Sequence, residues 1–167
     1  MTTTTALICL DGYRVVAALD AAAEALNPGL AWLLLYVSDM RPGEELAHAL
    51  ERLPGRGPGR HHAETRMPHV VAWSEEDVRA AAGAWLATAA RPAELVVRRG
   101  RPEQEILRLA EERAVALIAL GGGRGLPGHY PGPGPYPLSP VTRFVIDHAR
   151  CDVLLLRRYV AEADRRA

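Results

Sequence analysis

Five short apolar runs alternate with segments of helical character along this chain, and this alternation limits the fold more than any other feature of the sequence. The runs predict strands at 6–10, 30–37, 94–98, 115–120 and 153–156. Most of them are continuously apolar, which is typical of strands buried on both faces of a sheet. Because helices supply the crossovers between parallel strands, the sequence predicts an α/β fold, a doubly wound five-stranded parallel sheet with helices on both faces.

Start and stop signals delimit the helices between these strands. Ser74 precedes three acidic residues, and Asp77 stands at the third helical position, as in a capping box. Ser139 and Pro140 suit the N-cap and the first helical position, where the N–H that proline lacks is not needed. The predicted helices are 15–26, 44–53, 74–90, one that follows Pro102, and one that starts at Ser139 and runs through 148.

Composition and charge limit the class of protein. The chain has 167 residues, of which 49% are hydrophobic and 24% charged, so we expect one globular domain over 1–167 with its core at about 5–158. The formal net charge is zero and no basic patch stands out, so nucleic acid is not an expected partner. No apolar run is long enough to span a membrane, and residues 1–5 lack the basic start of a signal peptide. We expect a cytoplasmic protein.

The cysteine and lysine contents exclude several kinds of chemistry. Cys9 and Cys151 form no C-x-x-C pair, so we expect two free thiols that pack as small hydrophobic residues. All 20 basic residues are arginine. The absence of lysine excludes a Walker A lysine and any Schiff-base mechanism.

The stretch 118–142 holds the strongest signal for a ligand. An apolar run ends in the glycines of 121–125, a loop rich in proline and glycine covers 126–140, and a helix start closes the stretch. Glycines let backbone N–H groups approach an anion, which the start of a helix then stabilises. Ligands of doubly wound folds lie beyond the carboxyl ends of the strands. The candidate positions are therefore Asp11, 37–39, Gly100 and 121–125.

Four segments, in this order and spacing, make residues 5–158 resemble the universal stress protein family. They are Leu10-Asp11-Gly12, Leu35-Tyr36-Val37, Gly100-Arg101-Pro102 with Ile106 in the next helix, and 148–155, where a His-Ala pair precedes Cys151 and the last strand. The resemblance implies a Rossmann-like fold and a regulatory role in the stress response. It also implies a homodimer formed through the last strand, 153–157, whose apolar edge invites pairing.

Many members of that family bind ATP through Gly, two residues, Gly, nine residues, Gly, then Ser or Thr. The resemblance therefore implies ATP, with Mg²⁺, as the ligand here. It places Asp11 near the adenine or ribose and the Val37 backbone at the adenine edge. The remaining implied contacts are Gly122, Arg124 and Gly125 under the ribose and phosphates, and Ser139, Val141 and Thr142 at the outer phosphates.

The chain departs from the family pattern at three places. Thirteen residues, rather than nine, separate Gly125 from Ser139. Ser139-Pro140 stands in place of Gly-Ser, which removes a flexible glycine and one N–H donor. Tyr13 stands where a serine usually follows Asp-Gly. These departures affect the phosphate site more than the adenine site.

Other interpretations of the same residues stay open. Asp11 suits an Asx-type turn that starts the following helix as well as a nucleotide contact. The loop 126–140 suits a stiff exposed segment, a lid over the pocket, or a docking segment for a protein partner. Arg98, Arg99 and Arg101 suit either phosphate contacts or a solvated face. Trp32, Trp73 and Trp85 are expected in the core or at an interface.

Two alternative functions also remain. One is a dimeric scaffold that does not bind ATP and acts through the proline-rich loop. The other is a slow nucleotide-dependent enzyme with an acid or base among Asp11, Asp39 and His129. We expect no catalytic residues, because no nucleophile–base signature occurs, and any ATP hydrolysis would be slow. The six histidines share no spacing with acidic or cysteine ligands, so no metal site is expected.

Overall fold

The computed structural model describes residues 4–12, 14–38, 74–121 and 138–156. Five strands and four helices alternate through these residues. The strands are β1 (Thr5–Leu10), β2 (Ala31–Ser38), β3 (Ala93–Arg99), β4 (Leu117–Gly121) and β5 (Asp152–Leu156). The helices are α1 (Val15–Ala25), α2 (Glu75–Thr88), α3 (Pro102–Glu112) and α4 (Pro140–His148).

The five strands form one parallel sheet in the order β3-β2-β1-β4-β5. In the register of the central strand, Leu7 lies beside Leu33 of β2 and Ile118 of β4. From β1 the chain moves outward to β2 and β3, and it then returns to β4 on the other side of β1. The direction of the strand order therefore reverses between β1 and β4, and this is the topological switch point of the sheet.

The sheet is buried on both faces, as predicted. Ile8 and Leu34 pack toward α1 and α2, whereas Leu7 and Leu35 pack toward α3 and α4. All four of these side chains are buried. Complete burial of a leucine or isoleucine side chain contributes about 1.5–3 kcal/mol, and this explains why the central strands are continuously apolar.

The predicted strands and most helix bounds agree with the structure within two residues. The fourth strand begins at Leu117 rather than at Val115, because the Val115 N–H bonds to the Ala110 carbonyl and closes α3 instead of joining the sheet. The helix expected to reach Ala90 ends at Thr88, since Ala90 has a φ of 49°, in the left-handed region. The predicted helix 44–53 lies outside the described residues, as do most of the loop 126–140 and the C-terminal tail expected at 159–167.

Two of the three tryptophans, Trp32 of β2 and Trp85 of α2, pack together between the sheet and α2, in agreement with the expected core or interface position. Trp32, 4% exposed, stacks on Trp85 with ring centroids 5.7 Å apart. The Trp85 indole N–H donates to Asp20 on α1 at 2.6 Å, which ties the two helices of this face together. Trp73 lies outside the described residues. No helix in the described ranges is long and apolar enough to cross a membrane.

Candidate functional site

A cavity of about 270 Å³ opens at the carboxyl edge of the sheet, where β1, β2 and β4 end. It lies at the switch point, where doubly wound folds hold their ligands. Five of the eight predicted site residues line it, namely Asp11, Val37, Ser139, Val141 and Thr142. The other three, Gly122, Arg124 and Gly125, lie outside the described residues.

Asp11 has a structural role at the cavity wall. Its Oδ1 accepts the backbone N–H of Arg14 at 2.8 Å, which shapes the turn between β1 and α1. This hydrogen bond spans three residues rather than the two of an Asx-turn, but it gives Asp11 a local role before α1, as one of the two interpretations of the sequence expected. The same half-buried carboxylate lines the cavity, so the structural role and a ligand role do not exclude each other.

Val37 occupies the end of β2, and its strand partner is Arg98 of β3. It lines the cavity together with Leu35 and Tyr36 of the same strand. These side chains make one wall largely apolar. Such a wall suits the flat face of a base better than it suits a phosphate.

Ser139 and Thr142 form a closed hydrogen-bond network at the start of α4. Ser139 Oγ accepts the N–H of Thr142 at 3.0 Å, as expected of an N-cap. The Thr142 hydroxyl donates to the Gly121 carbonyl at 2.9 Å, and the two hydroxyls lie 2.8 Å apart. Since Thr142 is only 1% exposed, this network fixes the helix start against the end of β4.

The turn after β3 contains the candidate position Gly100, which does not itself line the cavity, and it leads to two lining residues that the sequence analysis did not assign to the site. The Gly100 N–H donates to the Ser38 carbonyl at 3.2 Å, which holds the end of β3 against the end of β2. Gly100 has a φ of 144°, a conformation that L side chains rarely adopt. The turn leads into α3, whose Pro102 and Ile106 line the cavity. Both residues belong to a segment that carries the family resemblance, and this was the signal available for finding them.

Cys9 also lines the cavity, near the end of β1. It is a free thiol like Cys151, in agreement with the sequence prediction, although both residues are half-buried rather than buried. The side chains around the Cys9 sulfur shield it from water, and this desolvation raises the pKa of the thiol to about 12. The thiol therefore stays protonated at neutral pH and is a poor nucleophile.

The three arginines at the end of β3 are paired with glutamates. Arg98 bonds to Glu105 and Glu112 of α3, and the Glu112 contact, together with that from Glu105, raises the pKa of the guanidinium. Arg101 lies 2.9 Å from Glu103. Arg99 lies 3.9 Å from Glu75. All three arginines therefore have carboxylate partners within the protein.

In the described ranges, no three His, Cys, Asp or Glu side chains are grouped so that they could hold a metal ion. His148 is exposed at the end of α4, with its Nδ1 2.8 Å from the Phe144 carbonyl oxygen. Its ring stacks on Phe144, with centroids 4.0 Å apart.

The strand order and the position of the cavity define a doubly wound α/β protein with a cavity at its switch point. Residues 12–157 match the model of the universal stress protein family, and the chain therefore belongs to this family. No curated protein sequence matches the chain.

Two solved structures illustrate the similarity of the fold. A universal stress protein from Lactobacillus plantarum is 22% identical with a TM-score of 0.56, and the match covers 94% of this chain and 99% of that one. A universal stress protein from Archaeoglobus fulgidus is 16% identical with a TM-score of 0.52, and the match covers 92% of this chain and 98% of that one. These similarities agree with the Rossmann-like sheet predicted from the sequence.

Proposed function

We propose that this chain is an adenine-nucleotide-binding regulatory protein of the stress response, a conformational switch rather than a fast enzyme. The observation that carries the proposal is the cavity at the switch point, which Asp11, Val37 and Thr142 all line. These residues come from three separate parts of the chain, and the family resemblance assigns each of them to a bound nucleotide. ATP with Mg²⁺ is the ligand that this resemblance implies.

The walls of the cavity suit a nucleoside. Val37 and Ile106 supply apolar surface for the base, and the Asp11 carboxylate supplies an acceptor for a ribose hydroxyl or an amino group. The described lining of the cavity contains no histidine and one carboxylate, that of Asp11. Asp11 is therefore the one side chain there that could act as a general base. This composition supports binding rather than rapid catalysis.

The same proposal includes a homodimer through β5. This strand lies at the edge of the sheet and pairs with β4 on one side among the described residues. Its Val153, Leu154 and Leu155 are half-buried, so part of their apolar surface remains to be covered. Sedimentation velocity tests this part: a dimer is expected, and a monomer at micromolar concentration would refute it.

We propose the cytoplasm as the compartment, because both cysteines are free thiols.

Calorimetric titration of the nucleotide-stripped chain with AMP, and with ATP and Mg²⁺, tests nucleotide binding. We expect Asp11→Ala to weaken binding by about tenfold, the cost of one charge-assisted hydrogen bond. Asp147→Ala is the matched control, because Asp147 is exposed on α4 and does not line the cavity. Asp11→Asn keeps an acceptor for the Arg14 N–H and therefore separates loss of the turn from loss of the ligand contact.

The outcomes are distinct. Binding that Asp11→Ala weakens and Asp147→Ala leaves unchanged supports the proposal. No heat with the wild-type chain at millimolar AMP or ATP refutes it and favours the scaffold alternative. Thermal melting of each variant, followed by circular dichroism, confirms that the compared proteins are folded at the titration temperature.

A further inference from the structure

The hydroxyl protons at the start of α4 are used within the protein. Thr142 Oγ1 donates its single proton to the Gly121 carbonyl. The contact between the two hydroxyls must therefore use the proton of Ser139, because Thr142 has no second one to give. Ser139 Oγ also accepts the Thr142 N–H. Both hydroxyls consequently present only acceptor lone pairs to the cavity, and a phosphate oxygen, itself an acceptor, gains no hydrogen bond from them.

The backbone of the same turn offers few donors. Pro140 at the first helical position has no N–H. The N–H of Thr142 bonds to Ser139 Oγ, and that of Arg143 bonds to the Ser139 carbonyl at 2.9 Å. Among the described residues at the start of α4, the N–H groups of Ser139 and Val141 thus remain for a ligand. The first turn of a helix usually offers an anion several such groups.

The neighbouring helix start is already occupied by carboxylates. Glu103 and Glu105 lie in the first turn of α3, and both are buried. They complement the positive end of the helix dipole and pair with Arg101 and Arg98. The charges of these glutamates and arginines therefore compensate each other. A polyphosphate that approached this part of the carboxyl edge would find no excess of positive charge among these residues.

We infer that the cavity selects the nucleoside part of an adenine nucleotide, and that Pro140 together with the closed Ser139–Thr142–Gly121 network makes AMP bind at least as tightly as ATP. This inference rests on the proposed function and specifies the ligand of the same site. Pro140 is the specificity-determining position, because it leaves the first helical position without the N–H that any other residue would offer to a phosphate.

The test compares adenosine, AMP and ATP with Mg²⁺ on the nucleotide-stripped full chain by calorimetry at one fixed salt concentration. For the wild type, we expect a Kd for ATP equal to or larger than that for AMP. Pro140→Ala restores an N–H and keeps the helix start. We expect it to shift the ratio of the two Kd values toward ATP by about five- to tenfold, the effect of one charge-assisted hydrogen bond. Pro92→Ala is the matched control, because Pro92 is exposed at the amino end of β3, on the opposite edge of the sheet.

The results separate this inference from the proposed function. ATP binding at least tenfold more tightly than AMP in the wild type overturns the inference and leaves nucleotide binding established. An unchanged ratio in folded Pro140→Ala overturns the role of Pro140. If none of the three ligands binds, the proposed function fails and the inference fails with it. Because the wild-type ratio is decisive by itself, a Pro140→Ala chain that does not fold does not remove the test.

Discussion

Two helices of this protein, α2 and α4, begin with a serine whose hydroxyl accepts the N–H of the residue three positions later. In α2 the pair is Ser74 and Asp77, and in α4 it is Ser139 and Thr142. The difference between the two helix starts lies in the residue at the third position. That residue decides whether the cap stays local or connects distant parts of the fold.

The start of α2 is closed within four residues. The Asp77 carboxylate accepts the Ser74 N–H at 2.9 Å and the Ser74 hydroxyl proton at 2.7 Å. The side-chain hydrogen bond from Ser74, together with the backbone one, holds the pKa of Asp77 below its usual value. All of these atoms are exposed, so the capping box stabilises the helix and contributes nothing to the cavity.

The start of α4 reaches across the fold. A carboxylate at the third position can only accept hydrogen bonds. The Thr142 hydroxyl instead donates a hydrogen bond to the carbonyl of Gly121, 21 residues earlier at the end of β4. Thr142 is buried, and both of its hydrogen-bond partners line the cavity. The comparison shows that one capping pattern stabilises a surface helix in one place and forms part of the cavity wall in another.

Of the substitutions at the two helix starts, Thr142→Val is expected to change the stability most. It keeps the shape of the side chain and removes its hydroxyl. The Gly121 carbonyl and the Ser139 hydroxyl then lose a partner at a buried site, so the free energy of unfolding should fall by about 2 kcal/mol. Urea denaturation followed by circular dichroism measures it. Thr88→Val is the matched control, because the exposed Thr88 hydroxyl only donates to Ala84 within α2. An equal decrease in the free energy of unfolding for the two variants would show that the α4 network contributes no more to stability than an exposed hydroxyl does.

A smaller difference is expected between Ser139→Ala and Ser74→Ala. Loss of an N-cap serine typically costs about 1 kcal/mol. Ser139→Ala should cost more than Ser74→Ala, because it also removes a partner of the buried Thr142 hydroxyl. Urea denaturation of the two variants at the same pH compares them. A larger loss for Ser74→Ala would contradict the distinction between a local cap and a tertiary one.

The smallest effect is a difference in pH dependence. The pKa of Asp77 is lowered in the folded chain, so its stabilising contribution is present above its unfolded pKa and is lost as the pH falls through the folded value. The loss of stability caused by Ser74→Ala should therefore shrink between about pH 5 and pH 2, the range in which an aspartate titrates. The loss caused by Ser139→Ala should stay constant over this range, since the Ser139–Thr142 pair does not titrate. Denaturation curves at several pH values test this, and parallel behaviour of the two variants would contradict it.

Much of the fold could be predicted from the sequence. The apolar runs located all five strands, and Ser74 and Ser139 marked two helix starts, because burial and capping leave local patterns of residues. The predicted start of the fourth strand was wrong at Val115. The side chain of Val115 suits a strand, but its backbone N–H bonds to the end of α3 rather than to a neighbouring strand.

The candidate site could be predicted in part. Asp11, Val37 and Thr142 follow from the family motifs and from the rule that ligands lie beyond the carboxyl ends of strands. Pro102 and Ile106 were not assigned to the site, because their approach to the cavity depends on β3 and β2 lying side by side and on the turn at Gly100. The direction of the hydroxyl protons in the α4 network could not be predicted either, since it depends on where Gly121 lies.

The sequence by itself determined the parallel sheet, the family and the residues at the ends of the strands, because burial, periodicity and capping act over short distances along the chain. Only the tertiary structure decided which of those residues share one cavity and which hydroxyl protons remain for a ligand. The physical reason is that hydrogen-bond partners such as Thr142 and Gly121 are far apart in the chain and meet only when the sheet order places α4 against β4.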